Sequence, residues 1–104
     1  RKRRRPMLQT VRIERPRLAR LRTASNPARG RAVFDITGFE GSALVIYDAL
    51  GVSVRTLRAP VLSGSELVWD GRDDSGRPVE SGLYLAQVRG AGRRAGAKFV
   101  LLKE

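Results

Sequence analysis

Hydrophobic and polar residues alternate over short stretches of this chain, with a period of two residues. Residues 30–37 place Ala32, Phe34 and Ile36 on one face and Val33 and Asp35 on the other, which is the two-residue period of a strand. Residues 42–47 form an almost uninterrupted apolar run, long enough for a central strand and too short for a typical helix. Both patterns predict β-strands.

Turn residues divide the rest of the chain into further strands. Asp48 begins and Gly51 ends one Asp-x-x-Gly segment, and Asp73 begins and Gly76 ends another, which is the sequence form of a type I turn. No stretch shows a convincing helical period. The predicted strands cover residues 18–24, 30–37, 42–47, 52–57, 65–69, 83–89 and 95–103.

Short strands separated by turn signals at regular intervals are typical of antiparallel sandwiches and barrels, whereas parallel sheets need helical crossovers. We therefore predict an all-β fold. About seven strands in a domain of this size favour an immunoglobulin-like or fibronectin-like antiparallel sandwich.

The net charge of +11 changes this picture because it comes from the N-terminal part alone. Residues 1–31 contain twelve Arg or Lys and one acidic residue, whereas residues 32–104 contain nine basic and nine acidic residues. Such asymmetry is typical of a charged tail joined to a neutral domain. We predict a poorly ordered basic linker or tail over residues 1–17 and a sandwich domain over residues 18–104.

The basic tail has two interpretations. Its first five residues are all Arg or Lys and favour contact with phosphates of nucleic acid or of an anionic membrane. Residues 1–31 contain no aromatic residue for base stacking, however, and no recognisable nucleic-acid-binding motif. A solvated linker, extended over residues 7–15, is therefore favoured, and no nucleic-acid partner is expected. Because the chain opens on Arg1 rather than Met, we expect it to be part of a longer protein.

The composition removes several kinds of chemistry. The chain has no cysteine and no histidine, which excludes a disulfide framework, a thiolate nucleophile, a Ser-His-Asp triad and His- or Cys-ligated metals. No apolar run approaches the roughly 20 residues of a transmembrane helix. The oligomeric state is left open by the sequence.

Asp70, Asp73 and Asp74 are the remaining candidates for polar chemistry. Carboxylates of this kind bind calcium, but their spacing departs from the EF-hand rhythm, and Arg72 and Arg77 raise the cost of a nearby cation. A glycosidase-type carboxylate pair needs a cleft that a small neutral sandwich has little room to form. Hydrogen bonding to local backbone amides is the favoured role. We predict no metal, no cofactor and no enzyme activity.

Three aromatic residues are candidates for ligand stacking, namely Trp69, Tyr84 and Tyr47. Each lies in a predicted strand with apolar neighbours, and packing in the core is the usual fate of such residues. We therefore expect all three to be part of the core.

Five motifs occur in a fixed order along the chain. They are Asn26-Pro27, Val45-Ile46-Tyr47-Asp48-Ala49-Leu50-Gly51, the segment from Trp69 to Val79, Ser81-Gly82-Leu83-Tyr84, and Lys98-Phe99-Val100-Leu101-Leu102-Lys103. Together they resemble the immunoglobulin-like domain shared by flagellar hook-capping proteins and the type A C-terminal sorting domains of the type nine secretion system. One departure is Ser25, which occupies a position where that family usually has proline.

The resemblance implies two sets of residues. The family's recognition signal corresponds here to Lys98, Val100, Leu101, Leu102 and Lys103. The structural motif positions correspond to Asn26, Pro27, Tyr47, Asp48, Gly51, Trp69, Asp70, Gly71, Asp73, Gly76, Gly82 and Tyr84.

The function implied by the resemblance is that of a non-catalytic sorting or anchoring module. It would end a larger exported bacterial protein, with the upstream cargo domain in the same chain, and an outer-membrane translocon would recognise its last strand. The implied location is the cell surface or the extracellular space, reached through the periplasm. An alternative is an adhesion or assembly module that binds a neighbouring protein or surface glycan, as hook-capping relatives do.

Overall fold

The structure is a computed structural model that describes residues 20–58, 65–90 and 92–103. Residues outside the described ranges include the predicted basic tail 1–17, with its stretch 7–15, and residues 59–64 between two predicted strands. The described chain forms eight strands: β1 (Arg22–Thr23), β2 (Ala28–Arg29), β3 (Ala32–Asp35), β4 (Ala43–Asp48), β5 (Ser53–Arg58), β6 (Glu66–Trp69), β7 (Gly82–Gly90) and β8 (Arg93–Leu102).

The strands form two sheets that pack face to face. The small sheet has the order β1-β3-β6, and the large sheet has the order β2-β8-β7-β4-β5. The predicted all-β, immunoglobulin-like sandwich is confirmed. Every predicted strand has a counterpart, although the first is shorter than expected. None of the described segments is a helix that would be able to cross a bilayer.

Strand β2 is the one element that the hydrophobic pattern did not predict. It pairs in parallel with β8, Ala28 opposite Leu101 and Arg29 opposite Leu102, so the sandwich is antiparallel at every other strand pair. The preceding Asn26-Pro27 peptide bond is cis. A two-residue strand is too short to show alternation, and its partner lies at the other end of the chain.

The core lies between the sheets and is centred on an aromatic cluster. Phe34 from β3 meets Phe99 from β8 edge to face at 5.2 Å between ring centroids. Trp69 meets Tyr84 in the same manner at 5.4 Å and Phe99 at 6.0 Å. Edge-to-face pairs stabilise a core beyond simple area burial, by about 0.5–1.5 kcal/mol each. The cluster therefore joins β3 and β6 of the small sheet to β7 and β8 of the large sheet.

A β-bulge changes the alternation of β5. Arg55 lies opposite the buried Ile46, but the register then shifts, because Tyr47 lies opposite Ser53 and Val54 is the extra residue. Arg55 is therefore half-buried, whereas Val52 lies before the strand with 58% of its surface exposed. A bulge adds one residue to one strand and so turns the following side chains to the other face.

Candidate functional site

The closing strand β8 presents alternating residues to the core and to solvent. Phe99 and Leu101 point into the core and are almost fully buried. The side chains between and around them form the closing-strand surface, in which the two lysines are exposed and the other two residues are half-buried. This surface consists of Lys98, Val100, Leu102 and Lys103.

Leu101, the fifth residue of the predicted signal, is therefore separated from the other four. Its side chain is 1% exposed and packs in the core. A partner that binds the folded domain can contact the closing-strand surface but not the Leu101 side chain.

Hydrogen bonds from four different parts of the chain fix the C-terminal half of β8. Antiparallel pairing with β7 runs along the whole strand, from Gly90 opposite Arg93 to Gly82 opposite Leu101. On the other edge, the Val100 N–H donates to Asn26 Oδ1 at 3.0 Å, and the Leu102 carbonyl accepts from the Gly30 N–H at 2.7 Å. The Lys103 N–H donates to Ser81 Oγ at 2.9 Å.

The N-terminal half of β8 has an open edge. Among the described residues, β2 pairs only with Leu101 and Leu102, so the strand before Val100 is paired by β7 alone. The Val100 N–H points away from β7, and backbone groups two residues apart in a strand point to the same edge. The outward backbone groups of Arg94, Gly96 and Lys98 therefore form the open edge. Such an edge can pair with another strand.

The loop between β6 and β7 is held to β5 by its carboxylates and by Arg55. Arg55 Nη1 donates to Asp70 Oδ1 at 3.1 Å and to the Arg72 carbonyl at 3.0 Å. Asp74 binds two backbone groups at the edge of β5. Its N–H donates to the Val54 carbonyl at 3.0 Å, and its Oδ1 accepts from the Thr56 N–H at 3.1 Å. Among the described residues no strand pairs with this side of β5, so the loop covers part of an otherwise unpaired edge.

Asp73 closes the turn that its sequence predicted. Its Oδ1 accepts hydrogen bonds from Ser75 Oγ at 2.7 Å, from the Ser75 N–H at 2.9 Å and from the Arg77 N–H at 3.0 Å. These bonds lower the pKa of Asp73, the Ser75 hydroxyl having the largest effect. The Gly76 N–H donates to the Asp73 carbonyl at 2.9 Å, and Gly76 has φ +89°. Glycine suits this position because other residues are strained there.

The three loop aspartates thus bind backbone amides or Arg55, as turn-forming carboxylates do. The described part of the chain contains no group of three or more His, Cys, Asp or Glu side chains placed to hold a metal ion.

Trp69 and Tyr84 anchor this loop from below. Both are buried, Trp69 completely, as the sequence predicted. Trp69 Nε1 donates to the Arg72 carbonyl at 2.8 Å, and Tyr84 Oη donates to the Glu80 carbonyl at 2.6 Å. The second contact, from a tyrosine at the start of β7 to a carbonyl four residues upstream, is the tyrosine corner of immunoglobulin-like sandwiches.

Tyr47 does not join them, so the prediction that it packs in the core is wrong. Leu44 and Ile46 of β4 point inward, so that Tyr47 faces outward and is half-buried. The sequence stretch is apolar on both faces of β4, and this hid the alternation.

The model of the FlgD Ig-like domain matches residues 23–93, which is more than half of the chain. The chain belongs to the FlgD Ig-like domain family. No curated protein sequence matches it.

Two solved structures share the fold of this FlgD Ig-like domain. One is PorZ of Porphyromonas gingivalis, an essential bacterial surface component of the type-IX secretion system, with a TM-score of 0.63 and 19% identity over 79% of this chain. The other is dimeric latent PorU of the same organism, with a TM-score of 0.62 and 23% identity over 93% of this chain. The chain spans only 11% of PorZ and 10% of PorU.

Several features of the domain were not predicted from its sequence. The open edge of β8 depends on where β2 begins, and the Asn26–Val100 contact joins residues 74 positions apart. The tyrosine corner is the one of these features with a local signal in the sequence. Tyr84 lies near the start of a predicted strand and only four residues after Glu80, whose carbonyl it contacts.

Proposed function

We propose that this FlgD Ig-like domain is the sorting or anchoring module of a larger exported bacterial protein, and that secretion machinery in the outer membrane recognises it through β8. The module is non-catalytic in this proposal, and the machinery and the upstream cargo domain are its partners. Its destination is the cell surface or the extracellular space, by way of the periplasm.

The observation that carries this proposal is the construction of β8. Its core residues Phe99 and Leu101 fix the strand, while the lysines of the closing-strand surface are exposed and no other described strand pairs with the open edge. A partner strand that adds to an open edge gains main-chain hydrogen bonds, and side chains next to that edge supply specificity. Strand β8 has both elements within ten residues.

Similarity to known proteins supports the same function. PorZ is a surface component of the type-IX secretion system, and the fold of this chain matches about a tenth of it. A small sandwich that recurs as a minor part of a much longer protein suits a module that acts on behalf of a larger chain.

The test is a fusion of the chain to the C-terminal end of a periplasmic reporter, expressed in a bacterium that has type-IX secretion. The variant combines Lys98→Ser, Val100→Thr, Leu102→Thr and Lys103→Ser, which keep strand propensity and leave the core intact. We expect loss of reporter from the cell surface and its accumulation in the periplasm.

A matched control carries Val33→Thr and Val68→Thr on the outer face of the small sheet. Val33 and Val68 are cross-strand neighbours there, as Leu83 and Val100 are in the large sheet. The control should reach the surface as the unmodified chain does. Equal delivery of the closing-strand variant would contradict the proposal, provided that Trp69 fluorescence shows both variants folded.

The family match favours a second function, that of an adhesion or assembly module, as in hook-capping relatives. In that case the fusions of the unmodified chain and of the closing-strand variant both remain in the periplasm, although both are folded. The unmodified fusion therefore separates the two functions.

A further inference from the structure

One end of the sandwich carries an apolar groove that the proposed function does not use. The end groove lies between the β4–β5 turn and the residues that lead into β7, and it encloses about 690 Å³, within the usual size of binding sites. Four large hydrophobic side chains are exposed in the described part of the chain, and Leu50, Val52 and Leu83 line this groove. The fourth, Val68, lies in the small sheet.

The exposure of these side chains is unusual for a small domain that needs apolar residues for its core. Leu50 is 88% exposed at the tip of a tight turn, where a polar residue satisfies the backbone equally well. The turn itself is closed by Asp48, whose Oδ1 accepts from the N–H groups of Leu50 and Val52 at 2.9 Å. A grouped set of exposed apolar side chains, rimmed by polar residues, marks an interaction site.

The charge of the rim decides which partner fits. Among the described residues, the charged side chains that line the end groove are Asp48, Asp73, Asp74 and Glu80, with no Arg or Lys. This is the reverse of the chain as a whole, which carries a net charge of +11. Tyr84 lies at the same place, where burial and then the charges of Asp48 and Glu80 raise the pKa of its hydroxyl.

We propose that the end groove binds a segment of a partner protein in which Arg or Lys side chains alternate with apolar ones. The apolar side chains cover Leu50, Val52 and Leu83, and the cations face the carboxylates of the rim. The inference does not rest on the sorting function, because Leu50 and Glu80 lie outside both the closing-strand surface and the open edge.

The experiment titrates the full chain with three fluorescent ten-residue peptides and follows anisotropy. The peptides alternate arginine with valine, glutamate with valine, and arginine with serine. We expect saturable binding of the arginine–valine peptide only, because the groove selects both charge and apolar surface. Equal binding of the arginine–serine or glutamate–valine peptide would overturn the proposal, as would no binding at all.

Matched variants locate the site. Leu50→Ser should weaken binding about tenfold because it removes one large apolar contact, and Glu80→Gln about threefold because it removes one surface charge pair. Val68→Ser and Glu66→Gln make the same changes in the small sheet and should bind as the unmodified chain does. Four equal affinities would overturn the proposal.

The groove has two other possible occupants, the chain's own basic tail and a second copy of the chain. Measurements on the peptide-free chain distinguish both from a partner segment. If Glu80→Gln shifts the amide resonances of residues 1–17, the chain's own basic tail occupies the groove, and a partner segment is excluded. If Leu50→Ser abolishes a dimer seen by sedimentation, a second copy is the occupant, which likewise overturns the proposal.

Discussion

Asn26 Oδ1 accepts a hydrogen bond from the N–H of Val100 at 3.0 Å, and this single contact marks the point where β8 changes from an open to a covered strand. Beyond it, β2 and Gly30 occupy the outer edge. Before it, the outward groups of Lys98, Gly96 and Arg94 have no strand beside them among the described residues. Asn26 therefore imitates one residue of a partner strand and sets the length of the open edge.

Replacing Asn26 with alanine should lower the free energy of unfolding by about 1 kcal/mol, the usual net value of one hydrogen bond. The loss should be local, because the core contacts of β8 are retained. Urea denaturation measures the first effect, and hydrogen exchange at the Val100 amide measures the second. Ser25→Ala, at the neighbouring exposed position, is the control. Unchanged exchange at Val100 would show that Asn26 does not hold the strand.

The tyrosine corner gives a second prediction. Tyr84→Phe keeps the ring next to Trp69 but removes the bond from Tyr84 Oη to the Glu80 carbonyl. We expect a loss of about 1–2 kcal/mol in the free energy of unfolding, since a part-buried hydrogen bond is removed and the Glu80 carbonyl loses its donor. Tyr47→Phe, on the outer face of β4, is the matched control and should cost less. Equal losses in urea denaturation would contradict this role of Tyr84.

Arg55 should control how firmly the loop between β6 and β7 is attached to β5. Arg55→Leu keeps the apolar part of the side chain and removes its bonds to Asp70 and to the Arg72 carbonyl. We expect a loss of about 1 kcal/mol and faster hydrogen exchange at Asp74 and Thr56, because these positions lie in an exposed, hydrogen-bonded rim. Arg58→Leu, at the exposed end of the same strand, should leave exchange at both amides unchanged. Faster exchange in both variants would indicate general loosening instead.

Asp35 should make the stability of the domain depend on pH below about 4. The Thr37 hydroxyl, which donates to Asp35 Oδ1 at 2.6 Å, is the main cause that lowers the pKa of Asp35 from 3.8 to about 2, and Arg20 at 3.3 Å contributes. Because the folded pKa is depressed, the stabilisation is present above pH 4 and is lost as the pH falls towards 2.

Since the Asp35 side chain is 37% exposed, solvent screening limits this contribution to about 1 kcal/mol. Urea denaturation between pH 2 and pH 6 gives the free energy of unfolding at each pH. This free energy should depend less steeply on pH in Asp35→Asn and in Thr37→Val than in the unmodified chain. In Thr37→Val the pKa of Asp35 should rise towards 3.8, and NMR titration measures this change. A pKa that stays near 2 in this variant would assign the effect to the Thr37 N–H and to Arg20 instead.

Features that depend on neighbouring residues were predicted from the sequence, whereas features that depend on contacts between distant residues were missed. Alternation along the chain is local, and it placed Phe34 and Ile36 in the core and named most of the strands. Strand β2 exists only because Ala28 meets Leu101, and no pattern near Ala28 encodes that contact. The end groove was not predicted for the same reason, since Leu50 and Glu80 come together only when β4 and β7 pair.

The last prediction concerns Arg89 and Arg94, which lie directly opposite each other where β7 and β8 pair near their hairpin end. Both side chains are exposed on the outer face of the large sheet. Like charges directly opposite in an antiparallel pair are destabilising, and opposite charges contribute roughly 0.2–1 kcal/mol. Arg94→Glu should therefore raise the free energy of unfolding by about 0.5–1 kcal/mol at low salt, and the gain should shrink at high ionic strength as the charges are screened. Arg94→Gln should give about half of the gain, since it removes repulsion without adding attraction. Urea denaturation at two salt concentrations provides the measurement. A loss of stability in Arg94→Glu would mean that the arginine pair is itself held by a favourable contact at this edge.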